Sequence, residues 1–362
     1  MMYLIIGIIL LFFFLCTYVK ECSRYRVLLY YLVAVVLVAF STFRYEGIDY
    51  YGYVEIYDEV KSLLEMDFNN IVNTHGELGF LLINSFVKSF NGGIEYVFFA
   101  VSLICIYLLV KNACMYSGMP ILSLVLYYNR FFIDRNLGQI RACIACMIIM
   151  YSIKFVKEKS AKKFFLSLLC ACLFHKIAII GLFVYFIDKQ RITLQKLFVI
   201  VFIAGLIGFL IPLDATLQIL IAYIGDFKFA GYLGDTEYFM RDLGVFYPVS
   251  VMQVTLLFYL SLYRGKLEGK FPYFNLMFNM YLFSTVWLLV MHKFGIYGAR
   301  MATLYGTVEV MLMTYIPFVF KNRWSRYMSI FVILVISFGF MLLKISDKKA
   351  YPDYKSIIEF WF

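Results

Sequence analysis

Charge is scarce in this chain. Asp, Glu, Lys and Arg together make up 15% of its 362 residues. Soluble domains carry roughly 25% charge and about 45–50% apolar residues. A chain with 63% hydrophobic and 20% aromatic residues lacks the surface that water requires. Histidine occurs three times, and no HExxH, Walker A, GxSxG or paired Cys/His spacing is present. Zinc hydrolysis, nucleotide hydrolysis and serine acyl transfer therefore leave no trace in the sequence, and no metal site or cofactor is expected. The eight cysteines, among them Cys143-x-x-Cys146, fall in or beside apolar runs. None lies in a long polar loop, so a disulfide framework is not expected, and the CxxC pair reads as packing inside a span. Soluble domains, low-complexity linkers and internal repeats are also missing.

What is present is a succession of apolar runs, long enough to cross a bilayer as helices of about 20 residues. The alternating short strands of a membrane barrel are absent, so the chain reads as an all-α, polytopic integral membrane protein forming a single domain over 1–362. Spans are expected near 3–19, 27–43, 94–110, 119–133, 137–156, 197–213, 245–263, 271–291, 301–320 and 327–345, with 78–90 in the outer interface. Counting a short hairpin argued below, this gives about 10–12 membrane helices. The formal net charge of +10 belongs to cytoplasmic loops of such a protein and does not imply nucleic acid. The first apolar run has its basic flank, "KECSRYR", behind it and no small-residue cleavage site, so it reads as a span with the N-terminus outside.

The stretch 164–187 decides the topology after it. If it crossed once, the loops 188–196, 264–270 and 321–326, with nine Lys and Arg, would lie outside. The loops 214–244 and 292–300, with four, would then lie inside. The positive-inside rule favours the opposite arrangement. The stretch is therefore expected to be a hairpin of two short helices that enters and leaves from the cytoplasm, with His175 and Lys176 at its tip. The outer face then receives both chain termini and the loops 44–77 and 214–244. The first of these carries eight acids against Arg44 and Lys61.

Several cations gather toward that face. Arg44 closes the second span, Arg135 and Arg141 bracket an outer turn with Arg130, Arg300 opens a late span, and His175 approaches from below. Arginine at a span is costly and usually faces a cavity or a partner, and its planar fork suits phosphate oxygens. The simplest anionic partner is a lipid phosphate or diphosphate. The competing reading is that arginines at helix ends reach to lipid headgroups and do nothing else.

These residues stand in an order that resembles a known family. "FRYEGIDYYGYVEIY", "HGELGFLLINSF", "NLGQIRACIACMIIMYSI", "CLFHKIAIIGLFVYF" and "GARMATLY" follow one another from about 40 to 305. The set is similar to the EpsG family of bacterial membrane proteins, which includes Wzy-type polymerases of O-antigen, capsule and exopolysaccharide. The resemblance implies a C-type, multi-spanning glycosyltransferase of the inner membrane. It would transfer a glycan from undecaprenyl pyrophosphate onto the terminal sugar of another lipid-linked repeat unit. A chain-length regulator protein is a further implied partner, besides membrane lipid. Carried over position by position, the pattern falls on Arg44, Asp49, Glu77, Arg141, His175 and Arg300. Lys176 departs from it, because a small hydroxyl residue is common after the histidine.

On this reading His175, Arg141 and Arg300 are catalytic, with the arginines clamping the departing diphosphate and His175 as base or donor. Arg44, Asp49, Glu77 and Arg135 bind substrate, and Glu77 and Asp49 are alternatives for the base. Two rivals remain at this level. One is a transporter of lipid-linked oligosaccharide. The other is a metal-dependent transferase that uses a polyprenyl-phosphate sugar.

Overall fold

The computed structural model describes residues 1–357 apart from 22, 189 and 212–241. Nearly all of the expected outer loop 214–244 thus lies outside the described residues. Helix dominates, and the only sheet among the described residues is one pair of two-residue strands. Among the described residues two helices, Ile94–Tyr116 and Arg323–Ser346, are long and apolar enough to cross a membrane alone, or three if the broken pair Gly298–Gly306 and Glu309–Val319 counts as one span. Seven shorter apolar helices of 10–17 residues accompany them. This is an all-α membrane protein. The helices fall near the expected spans with shifted ends: the late span begins at Gly295 rather than 301 and breaks after Gly306. Arg300 therefore sits inside a helix and does not open one.

The chain packs as two compact units, one of residues 1–182 with 313–362 and one of residues 183–312. In the first unit the centre is the helix Ile140–Lys157. It buries residues on every side, among them Ile144, Ile149 and Ile153, as an apolar helix enclosed by others must. The helices Ile94–Tyr116 and Ala161–Cys172 pack on it, and Arg26–Thr42 packs on Ile94–Tyr116. Ala161–Cys172 stops at Leu173, and the chain resumes as a 3₁₀ segment, Lys176–Phe183. Gly181 in that segment lies against both Leu168 and Ile149, so the chain has turned back along the helix it just left.

The last long helix, Arg323–Ser346, returns the chain to the start of this unit. Tyr351 donates to Asp134 at 2.7 Å, and Lys344 pairs with the same carboxylate. Arg44–Tyr45 then pairs antiparallel with Lys355–Ser356, matching Arg44 to Ser356 and Tyr45 to Lys355. Tyr354 stacks on Phe40 with ring centres 4.2 Å apart, and Tyr3 donates to the Pro352 carbonyl at 3.2 Å. The first helix and the end of the described chain are thereby fastened to the same edge.

In the second unit the helix Phe274–Val290 is central, with Leu194–Leu210, Pro248–Leu262 and Gly295–Gly306 around it. Arg264 holds one end together: its Nε meets Glu268 at 2.6 Å, and it also donates to Asn275 and to the Ile192 carbonyl. Asn279 donates to the carbonyls of Ile187 and Gln190, each at 2.7 Å. The basic loops 188–196 and 264–270 consequently lie at one end of this unit.

Candidate functional site

The Glu-x-Gly and Phe-His stretches, far apart in sequence, are in contact. Gly79 opens the helix Leu78–Ser89 and donates its N–H to the Leu173 carbonyl at 2.7 Å. A Cβ at position 79 would stand 2.8 Å from that oxygen, so only glycine admits this approach. Glu77, the cap residue of the same helix, points one oxygen at the backbone N–H of Lys176, 3.3 Å away. Its other oxygen accepts from Arg141 Nη1 at 2.7 Å. One carboxylate thus joins the break at 173–176 to the first turn of Ile140–Lys157. Both partners are largely buried, with 19% and 11% of the side chains of Arg141 and Glu77 exposed. A charge-assisted bond in such surroundings is less screened than a surface pair.

His175 is in the break itself, half-buried. Its Nδ1 accepts from the N–H of Ile177 at 3.3 Å. A ring nitrogen that accepts carries no proton, so in the neutral imidazole the proton sits on Nε2. Lys176 is exposed.

Arg44 shares an aromatic neighbour with Arg141. Its guanidinium carbon is 4.2 Å from the centre of Phe98, 5.7 Å from that of Tyr53 and 5.9 Å from that of Tyr50. Arg141 is 5.9 Å from the same Tyr53 ring. Tyr53 is buried, packs edge-on against Phe80, and accepts from the N–H of Ile140 at 3.2 Å. It neighbours both arginines and holds the start of the helix carrying Arg141. Lys88 anchors Tyr53's own helix, Tyr50–Glu59, by donating to the carbonyls of Tyr57, Asp58 and Val60 at 2.7–2.9 Å.

Arg44 is 3% exposed and donates through Nη1 to the Leu137 carbonyl, while Nε and Nη2 are buried without a partner. Burial draws its pKa down to about 10, against the opposing pull of Tyr53, Tyr50, Asp49 and Tyr354. It remains cationic at neutral pH. Asp49, exposed and in a left-handed conformation with φ of 56°, caps the helix that carries Tyr53. Gly138 lets Ile48, next to Asp49, and the Asp134 backbone approach closely, since a Cβ there would meet both.

Four of the seven residues expected from the sequence, Arg44, Glu77, Arg141 and His175, therefore share one contiguous assembly, and Asp49 borders it. Arg135 is 4% exposed and lies among Cys146, Cys143, Tyr127 and Asp134. Arg300 belongs to the second unit, half-buried with its Nε unpartnered. Among the described residues no three His, Cys, Asp or Glu side chains converge as ligands.

Sequence reasoning passed over Tyr53, which looked like one of many loop aromatics. It also passed over Glu309, a carboxylate 1% exposed that accepts from Tyr281 at 2.7 Å. An acid inside a stretch otherwise apolar was the available signal. His292, read as an ordinary helix end, is buried and bonds to Asp242 at 2.8 Å and to the Gly208 carbonyl at 3.1 Å.

Apolar helices with a buried arginine–carboxylate assembly at the mouth of a broken helix define a membrane protein whose polar chemistry is concentrated at a few helix ends. The chain belongs to the EpsG family, whose family model matches residues 27–359. Membership points to a polysaccharide polymerase-type function. No curated protein and no solved structure matches the chain.

Proposed function

We propose that this protein is a polymerase of a bacterial surface polysaccharide, a glycosyltransferase of the inner membrane with a C-type, multi-spanning architecture. A glycan on undecaprenyl diphosphate is the donor, and the terminal sugar hydroxyl of a second lipid-linked repeat unit is the acceptor. The observation that carries this reading is the joint of Glu77 with Arg141 and the 173–176 break, in a chain of the EpsG family.

In the reaction, the bond between the anomeric carbon and the diphosphate oxygen breaks as the acceptor oxygen bonds to that carbon. The acceptor proton passes to a base, and the diphosphate leaves with its electron pair. Arg141 stabilises the leaving charge, as a preorganised donor in a water-poor site can. Glu77 holds Arg141 in place and is less suited to act as base while it is engaged on both oxygens. His175 serves as donor to the departing diphosphate in the tautomer that carries its proton on Nε2, or as base in the other tautomer. Arg44, with two unpartnered donors, binds diphosphate or sugar oxygens. Arg300 serves as the second clamp, while Asp49 and Arg135 border the substrate.

The fold-back of Gly181 onto Leu168 supports the reading of 164–187 as a re-entrant hairpin with His175 at its tip. The meeting of the basic loops 188–196 and 264–270 supports placing both in the cytoplasm. The site and both termini are assigned to the outer face from the loop charges of the sequence. On the same reading the outer loops include 214–244, and a chain-length regulator is a partner in the membrane.

The test is reconstitution of the purified protein in liposomes with an undecaprenyl-diphosphate-linked repeat unit. Longer glycans and released undecaprenyl diphosphate are expected. Movement of the lipid across the bilayer with no lengthening would make the protein a transporter instead. Lengthening abolished by a chelator and restored by a divalent cation would favour metal-assisted transfer.

A further inference from the structure

A groove of about 440 Å³ runs between the helices Arg26–Thr42 and Ile94–Tyr116 in the first unit. It follows Tyr31, Ala34, Val38 and Thr42 on one helix and Phe99, Leu103 and Val110 on the other. From 31 to 42 that is about 16 Å, half the thickness of a hydrocarbon core. Ala34 and Ala39 leave the space between larger neighbours, and Val35, Leu103 and Tyr107 at its edges are exposed.

The two ends differ. At one end, Thr42 and Phe43 line the groove, and Arg44, which lines a separate small cavity with Tyr45 and Leu137, follows them in the chain. The Thr42 hydroxyl, like Nε and Nη2 of Arg44, is buried without a partner. Phe98, on which Arg44 lies, is the chain neighbour of Phe99 in the groove wall. Away from this end the lining is almost wholly apolar. An occupant that satisfies both parts has an apolar chain and an anionic head.

We propose that this groove holds the head-proximal part of the polyprenyl chain of the lipid-linked substrate, with the diphosphate at the Arg44 end. The assignment rests on the polymerase reading, which requires such a lipid to present its diphosphate beside the arginines. Charge complementarity at one end and chain-like apolar length at the other select it. The groove then sets the depth at which the anomeric carbon stands relative to Arg141 and His175. Thr42 is a specificity contact that no sequence motif announced.

The test compares the protein with L103W and with the double change A34L/A39L, which fill the groove from opposite walls at positions where folding is checked by monodispersity and thermal unfolding. Binding of undecaprenyl diphosphate and of dioleoyl phosphatidic acid is measured for each by native mass spectrometry. The filled variants are expected to bind undecaprenyl diphosphate at least tenfold more weakly, with phosphatidic acid unaffected. A benzoylphenylalanine at 103 in the otherwise unaltered chain is expected to crosslink to undecaprenyl diphosphate. Unchanged binding in the filled variants with no crosslink would overturn the groove while leaving the polymerase reading intact. Equal weakening for both lipids would make it a general phospholipid site. If the unaltered protein binds no undecaprenyl diphosphate, the polymerase reading fails and the groove assignment with it.

Discussion

Glu77 and Arg141 meet at 2.7 Å while the second oxygen of Glu77 faces the backbone N–H of Lys176. The carboxylate is thus a joint between two segments as much as a charge partner. E77Q keeps the shape and removes the charge. It is expected to lower polymerisation strongly while costing only ~1–2 kcal/mol of stability. A cycle with E77Q and R141Q should show a coupling energy of about 1 kcal/mol or more, since the groups touch. Additive effects on thermal unfolding would contradict the joint. R141K is expected to lose roughly 10²-fold in turnover, because an ammonium cannot offer two aligned donors.

Gly79 carries no functional group, yet its replacement should impair the site. G79A places a methyl 2.8 Å from the Leu173 oxygen and must push the 173–176 break away. A loss of ~1–3 kcal/mol is expected, as for other overpacked contacts. Polymerisation should fall with it. A variant with unaltered unfolding temperature and chain length would show that the contact is dispensable.

Arg44 sets stability against activity. Its folded pKa of about 10 is below the ordinary 12.5, because burial disfavours its charged form. The native state therefore holds this proton less tightly than the unfolded chain does. The charge costs stability at neutral pH, and the cost is relieved as pH rises from about 10 toward 12.5. R44M removes it but leaves the Leu137 carbonyl without its donor, a loss of ~1 kcal/mol or more. The variant is expected to unfold within a few degrees of the parent at pH 7 and to make no polymer. A large fall in unfolding temperature would identify Arg44 as a structural residue.

Tyr53 separates ring from hydroxyl. Y53F keeps the ring surface that both arginines share and loses the hydroxyl, which accepts from the Ile140 N–H and bonds to Arg141. It should cost ~1 kcal/mol and leave most of the activity. Y53A opens a cavity between Arg44 and Arg141 and should cost ~3–5 kcal/mol as other aromatic deletions do. Equal turnover for Y53F and Y53A, both folded, would remove Tyr53 from any positioning role.

His175 is expected to be indispensable. H175A should abolish long chains while the single-repeat product persists on the surface. Wild-type chain lengths in that strain would end its assignment as base or donor.

The helical class was legible in the sequence, because an apolar run long enough to span a bilayer has few alternatives. The break at His175 was legible too, from the basic loops that follow it. What could not be read was the contact between Gly79 and Leu173, since neither a glycine nor a carbonyl announces its partner across intervening helices. Tyr53 was hidden for a related reason: among 31 tyrosines, its distinction is position and not chemistry. Arg135 and Arg141, alike in sequence as cations near one turn, have different surroundings. Arg135 lies among Cys143, Cys146 and Tyr127, and Arg141 reaches Glu77. Helix phase decides between them, and a one-residue uncertainty in where a helix starts erases it.

The strand pair of Arg44–Tyr45 with Lys355–Ser356 has a consequence for how the protein is made. A nascent chain enters the bilayer helix by helix from its first residues, so Arg44 emerges long before its strand partner exists. The edge beside Arg44 is therefore finished only after residues near 356 have been synthesised and have returned to it. This corner joins an early segment to one made more than 300 residues later, and a chain cut before residue 355 leaves it open.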